Sequence, residues 1–208
     1  TAAATRSSPP AAAMSVSFWV LLIAIALIGW LVAYMLAQRP ITNVQQLIQQ
    51  RRYEDAVLEA QRTNDPLHRA EALKLLGRYD EAIAAYRQSD DPAAQEGIAL
   101  CLAHLGRDLD EARRLMETQI AQHPQIQEFQ SLALAYILLR AGDSESALRL
   151  YGDNLELLET RFRDDYTDPD PLLSETLYLF AKLAEANGED ARADSLARQA
   201  ETWGWRLQ

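Results

Sequence analysis

The stretch "LKLLGRYDEAIAAYRQ", residues Leu73 to Gln88, contains a turn at Gly77 followed by a helix with a narrow apolar face. Ala82 and Tyr86 stand four residues apart, so they lie on the same side of that helix, with Ile83 beside them. A face this narrow is too small to form a core alone. The stretch therefore predicts one half of a unit that is buried only when neighbouring units stack on it.

The same half recurs four more times along the chain. The other copies are "RRYEDAVLEA", "GRDLDEARRLM", "GDSESALRLY" and "GEDARADSLA", which align on Ala56, Ala112, Ala147 and Ala193. In four of the five units a glycine precedes the aligned alanine by five or six residues: Gly77, Gly106, Gly142 and Gly188. A glycine there ends the preceding helix, because it adopts the positive φ that a helix C-cap often requires. The pattern predicts helix, tight turn and helix, repeated five times.

These units resemble tetratricopeptide (TPR) repeats, whose signature combines a small residue in the first helix, a glycine at the turn, and Ala then Tyr or Phe in the second helix. The best match contains Ala135, Gly142, Ala147 and Tyr151. The resemblance implies an all-α solenoid of about five helical hairpins over residues 41–208. No run of β-branched residues alternates with period two, so no strand is expected.

The spacing of the units departs from the family period of about 34 residues. The aligned alanines, from Ala56 to Ala193, are 26, 30, 35 and 46 residues apart. The two short intervals predict shortened first helices in the early units. The last interval predicts a long helix from about Ser144 to Arg163, followed by an acidic loop.

An apolar run precedes the repeats. Val16 to Ala37 is 22 residues long and has no charged residue. As a helix it would span roughly 33 Å, against a bilayer hydrocarbon core of about 30 Å. Trp19, Trp30 and Tyr34 would anchor its ends at the membrane interfaces. We predict a flexible tail over residues 1–15, rich in Ala, Ser and Pro, and a transmembrane helix over residues 16–38.

Two alternatives to a membrane span are less consistent with this run. A signal peptide has an apolar region of about 7–15 residues, and no small-x-small cleavage site follows this longer one. A buried core helix would have a polar face. Arg39, Arg51 and Arg52 follow the run and only Arg6 precedes it, so the positive-inside rule favours cytoplasmic repeats. The Arg- and Ala-rich, Lys-poor composition indicates a bacterium, and hence a single-pass protein of the inner membrane.

The charge of the chain is uneven. Residues 1–40 contain two arginines and no acid, whereas the remainder has 18 basic and 30 acidic residues. Nucleic-acid binding requires a basic surface, so nucleic acid is excluded as a partner and proteins are expected instead. Cys101 is the only cysteine, and an internal disulfide is therefore impossible.

Motifs that carry chemistry are not found. His68, His104 and His123 do not stand at the spacings of a metal site, and the acidic loop over 164–170 lacks the glycine and the terminal glutamate of an EF-hand. The sequence has no phosphate-binding, dinucleotide-binding or nucleophile-elbow motif. We expect no catalytic residue, no cofactor and no metal, and we expect that the protein is not an enzyme.

In TPR-like stacks the first helices line a concave groove, and the resemblance places a protein-binding groove on twelve residues of this chain. They are Leu67, Glu71, Lys74, Glu96, Leu100, His104, Phe129, Leu132, Tyr136, Arg140, Tyr178 and Lys182. Leu132, Tyr136 and Tyr178 would form an apolar strip with Arg140 and Lys182 at its edge, and such a strip suits an apolar peptide segment or helix. The alternative is that some of these residues only pack between helices. At the C-terminus, Trp203 would cover the open end of the last repeat, and Trp205 is a candidate for docking a partner.

The functional hypothesis is a membrane-anchored TPR-like scaffold or adaptor, an accessory or stabilising subunit of a larger inner-membrane complex. Its partners would be integral membrane proteins, and residues 16–38 would contact the lipid bilayer. The alternative is a transient assembly or quality-control factor that binds client proteins at the membrane.

Overall fold

A computed structural model describes residues 43–123, 127–164 and 170–205. These ranges contain ten α-helices and no strand. The tail and transmembrane helix predicted from the sequence, with Trp19, Trp30 and Tyr34, lie outside the described residues. Of the described helices, none combines the length and the apolar character that crossing a bilayer requires.

The helices form five consecutive hairpins, as the repeats predict. Their bounds are α1 Val44–Gln49, α2 Tyr53–Thr63, α3 Pro66–Leu75, α4 Tyr79–Tyr86, α5 Ala93–Leu105, α6 Leu109–Gln122, α7 Gln127–Arg140, α8 Ser144–Asp164, α9 Pro171–Ala186 and α10 Asp190–Trp203. The shortened first helix expected from the first interval is α3, with 10 residues, and α1 has 6. The second interval is short for another reason, because its first helix α5 has 13 residues and the preceding second helix α4 has 8. The long fourth-unit helix is α8, with 21 residues. The described part of the chain is an all-helical, TPR-like repeat solenoid.

The repeat signature marks the buried faces and the turns correctly. All five aligned alanines are buried, and Gly77, Gly106, Gly142 and Gly188 have φ values between 66° and 85°. In the first unit Arg51 stands at the position of the glycine and has a φ of 59°. A residue with a Cβ is strained in this left-handed conformation.

The two helices that matter most for the site, α3 and α9, begin in the same way. Asp65 and Asp170 are their N-caps, and each side chain accepts a hydrogen bond from a backbone N–H of the first turn. Pro66 and Pro171 follow at the first helical position, where a missing N–H has no cost. These local signals fix where both helices start.

The first helices of the five hairpins form a closed ring. Helix α1 contacts α3, α3 contacts α5, α5 contacts α7 and α7 contacts α9, and α9 in turn contacts α1. We call α1, α3, α5, α7 and α9 the inner ring. At its closure the Tyr53 hydroxyl donates to the Gly204 carbonyl at 3.3 Å, Gln49 donates to Asp170 at 3.0 Å, and Arg51 donates to the Thr202 carbonyl. The array thus curls until its first and last hairpins meet.

Candidate functional site

A buried carboxylate ties three repeats together at the centre of the inner ring. Glu175 on α9 forms an ion pair with Lys74 on α3, and its Oε1 lies 2.8 Å from His104 Nε2 at the end of α5. The side chains of Glu175 and His104 are each 5% exposed. Because an ionised carboxylate only accepts hydrogen bonds, the Lys74 ammonium and the His104 ring both donate to it.

The ion pair keeps its charges despite its burial. Burial alone would raise the pKa of Glu175, but the charge of Lys74 and the hydrogen bond from His104 hold that pKa at about 2. Burial likewise opposes the charge of Lys74, yet the negative charge of Glu175 keeps the lysine pKa well above its ordinary value. Both groups are therefore charged at neutral pH.

Aromatic rings surround His104. The Tyr79 ring stacks on the imidazole with centroids 5.0 Å apart, the Trp205 indole lies at 5.3 Å, and the Tyr136 hydroxyl is 3.4 Å from His104 Nδ1. Tyr178 stacks on Trp205 at 5.2 Å. We call Lys74, Glu175, His104 and these four aromatic residues the central cluster.

The central cluster corrects one interpretation of the C-terminus. Trp205 is 5% exposed, because it packs on His104 and Tyr178 inside the ring. A role for Trp205 in docking a partner is therefore wrong for this conformation. Trp203 is buried as well, in agreement with a residue that covers the last repeat.

Beside the central cluster the inner ring leaves a cavity of about 250 Å³. Helices α3, α5, α7 and α9 form its wall, with Tyr86 of α4. Its ionisable residues apart from Tyr86 are Glu71, Lys74, Glu96 and Glu175, and its apolar lining includes Leu75, Leu100, Phe129, Leu172, Leu173 and Leu179. We call it the acidic cavity. It brings together five of the twelve residues predicted for the groove: Glu71, Lys74, Glu96, Leu100 and Phe129.

Two carboxylates of the acidic cavity lack a cation of their own. Burial raises the pKa of Glu71 and of Glu96, and the nearby charge of Lys74, which is paired with Glu175, offsets this only in part. Glu71 forms no hydrogen bond or ion pair with any described residue, and the one partner of Glu96 in this part of the chain is the Gln130 amide nitrogen at 3.5 Å. Gln130 is 1% exposed, and its Oε1 has no hydrogen-bond partner within the described ranges.

The other predicted groove residues lie elsewhere. Leu132 and Tyr136 are buried, and Tyr136 packs edge-on against Tyr178 of α9 at 6.4 Å. The predicted strip of Leu132, Tyr136 and Tyr178 is thus a packing surface between inner helices, as the alternative interpretation holds. That these residues bind a partner stays a prediction. The remaining positions are half-buried Leu67, exposed Arg140, and Lys182, which pairs with Glu185 at 2.8 Å.

Sequence reasoning missed Glu175 and Gln130. A signal for Glu175 exists, since it is the one acid among the first fourteen residues of the apolar helix α9. Gln130 gives no comparable signal in the sequence.

The described residues show no metal centre. No group of three or more His, Cys, Asp or Glu within these ranges has a geometry that holds a metal ion. Cys101 is buried, and burial raises its thiol pKa to about 12. A thiol with that pKa is unreactive at neutral pH.

Comparison with known proteins gives structural neighbours only. No protein-family model matches the chain, and no curated protein matches it. Among solved structures, one similar chain is a protein of Podosopora anserina assigned as a kinesin light chain, with nearly identical TPR-like repeats, at 18% identity and a TM-score of 0.42. The alignment covers 81% of this chain and 92% of that one. A variant of the same protein matches at 18% identity and a TM-score of 0.43, covering 81% and 91% of the two chains.

Proposed function

We propose that this chain is a non-catalytic, membrane-anchored scaffold that holds protein partners at a bacterial inner membrane, as an accessory or stabilising subunit of a larger complex. The observation that carries the proposal is the array of five TPR-like hairpins whose inner helices line the acidic cavity. Stacked helical hairpins offer extended surfaces for protein partners.

Membrane attachment is supported by the sequence. The 22-residue uncharged run over 16–37 is long enough for a span, and two tryptophans and a tyrosine lie within it at Trp19, Trp30 and Tyr34. The excess of arginines after the run favours repeats on the cytoplasmic side. In this arrangement the span packs on the spans of the partners, and the repeats hold their cytoplasmic parts.

The test is affinity isolation of the full chain through a C-terminal tag after extraction in mild detergent. A stable set of integral membrane proteins at near-equal stoichiometry supports a structural subunit. A varied, substoichiometric set of clients supports the alternative, a transient assembly or quality-control factor.

A matched variant that lacks residues 1–38 locates the attachment. We expect it to lose the membrane proteins that the full chain retains. Unchanged retention by this variant would contradict the role of the span, and would place the contact on the repeats.

A further inference from the structure

We propose that the acidic cavity receives an arginine side chain from a partner protein. This inference rests on the proposed function, because it names the chemistry by which the array recognises the protein that it holds.

Charge is the first argument. The cavity wall contains three carboxylates, Glu71, Glu96 and Glu175, and one ammonium group, Lys74. The Lys74 ammonium already donates to Glu175. Glu71 and Glu96 are half-buried, and neither forms an ion pair with a described residue. A cation supplied from outside would stabilise the charged form of both.

Hydrogen-bonding capacity is the second argument, and it favours a donor-rich ligand. The cavity wall offers the carboxylate oxygens of Glu71 and Glu96, which only accept hydrogen bonds when they are ionised. A guanidinium group has five N–H donors and no acceptor, and its planar fork can address two carboxylates together.

Size and lining are the third argument. The volume of about 250 Å³ is below the roughly 300–1,000 Å³ of sites that bind drug-sized molecules. It suits one long side chain better than a folded segment. Apolar residues such as Leu100, Phe129 and Leu172 share the wall with the carboxylates. An arginine packs its methylene stem on such a surface while its charged end reaches polar groups.

The experiment measures binding of a capped tripeptide, acetyl-Ala-Arg-Ala-amide, to the full chain in detergent micelles by NMR titration. The matched probe replaces arginine by citrulline, which has nearly the same shape and no charge. We expect the arginine peptide to bind at least tenfold more tightly, with shift changes at residues of the cavity wall. Equal affinity for the two peptides would overturn the proposal.

Two variants connect the binding to the cavity. Glu71→Gln with Glu96→Gln is expected to lose at least tenfold in affinity for the arginine peptide, whereas Glu145→Gln, an exposed carboxylate on α8, should retain it. Each variant is first shown to keep its helical circular dichroism. If the double variant is misfolded, Glu96→Gln alone is used. Unchanged binding by a folded Glu71 or Glu96 variant would exclude the cavity as the site.

Putrescine serves as the third probe, because it is a small organic cation that has no peptide backbone. If it binds as tightly as the arginine peptide, the cavity selects small amines and the assignment to a protein side chain is wrong. The affinity isolation described above is independent of this result. Stable partners without arginine binding would leave the scaffold in place and remove only this inference.

The pH dependence of binding supplies a further readout. The titratable groups in or near the wall are Glu71 and Lys74 of α3, Tyr86 of α4, Glu96 of α5 and Glu175 of α9, with Asp65, His68 and Asp91 close to Glu71. Glu71 and Glu96 are the carboxyls of the wall with raised pKa values. Affinity for the arginine peptide should therefore rise with pH as they ionise. An affinity for the arginine peptide that stays constant or falls as the pH rises would contradict the proposal.

Discussion

The central cluster and the acidic cavity lie side by side in the inner ring, yet the pKa values of their carboxylates shift in opposite directions. Glu175 accepts from an ammonium and an imidazole, and its pKa falls to about 2. Glu71 and Glu96, on neighbouring helices of the same inner ring, have raised pKa values because burial is not offset by a cation of their own. The difference indicates that the first carboxylate holds the fold together and that the other two are available to something outside it.

The largest effect should come from breaking the central cluster. Glu175→Ala leaves Lys74 buried without its counter-charge, and removing one partner of a buried pair costs about 3–5 kcal/mol. We expect a large drop in the melting temperature, measured by circular dichroism. The double variant Lys74→Met with Glu175→Leu removes both charges and should recover most of the loss. If the double variant is as unstable as Glu175→Ala, the unpaired charge is not the cause.

A side chain added to the cavity wall should lower the free energy of unfolding by less than the loss of Glu175. Gly97 lines the cavity, and a Cβ added to it would overlap the Tyr86 ring. Gly97→Ala is expected to lower the free energy of unfolding by about 1–3 kcal/mol, because the ring has to move in a packed interior. The matched control is Gly152→Ala in α8, where a Cβ meets nothing within 4 Å. That variant should gain about 0.5–1 kcal/mol from helix propensity. A Gly97→Ala protein as stable as the wild type would show that Tyr86 is loosely held.

The opposite pKa changes predict opposite pH dependences of stability. The lowered pKa of Glu175 gives stability that is present above the unfolded value of about 4.5 and is lost as pH falls towards 2. The raised values of Glu71 and Glu96 mean that the folded state binds more protons, so their contribution is lost as pH rises above about 4.5 through the folded pKa values.

Denaturant unfolding from pH 2 to 8 measures both contributions. Above about pH 5.5, where the contribution of Glu175 no longer changes, the free energy of unfolding should decline with pH in the wild type, and the decline should be smaller in Glu71→Gln with Glu96→Gln. A tenfold difference in proton affinity between the folded and unfolded states corresponds to about 1.4 kcal/mol. The low-pH loss should persist in the double variant, because Glu175 is intact. If the free energy of unfolding declines equally with pH in both proteins, the assignment of the raised pKa values to these two residues is wrong.

The smallest effect is expected at the closure of the ring. Arg51 is strained at a φ of 59° and donates to the Thr202 carbonyl. Arg51→Gly and Arg51→Ala both remove this hydrogen bond, but only glycine removes the strain. We expect the glycine variant to be more stable than the alanine variant by about 1 kcal/mol. Equal stability by chemical denaturation would show that the backbone relaxes here.

The local features of the fold follow from the sequence, because they depend on neighbours in the chain. Ala82 and Tyr86 mark a buried face, Gly77 marks a turn, and the unit spacing gives the short α3 and the long α8. The resemblance also identifies five residues of the acidic cavity. It does so because the first helix of a stacked hairpin always faces inward.

The closure of the ring could not be predicted in this way. It depends on the sum of small rotations between successive hairpins, and no single segment encodes that sum. The pair of Lys74 and Glu175 joins residues that are 101 positions apart. The sequence predicts a groove at Leu132 and Tyr136 because it does not reveal the closure. An open array would expose these side chains, whereas the closed one packs Tyr136 against Tyr178.

The contact between α1 and α9 also bears on how the array should unfold. In an open solenoid the terminal repeats have one neighbour each, so they fray first and the array melts stepwise along its axis. Here each of the five inner helices has an inner-helix neighbour on both sides. Loss of one hairpin therefore removes a neighbour from two others. At the closure, the first and last hairpins support each other although they are distant in sequence. The repeats are expected to melt in one cooperative transition, and a deletion at either end should weaken the opposite end as well.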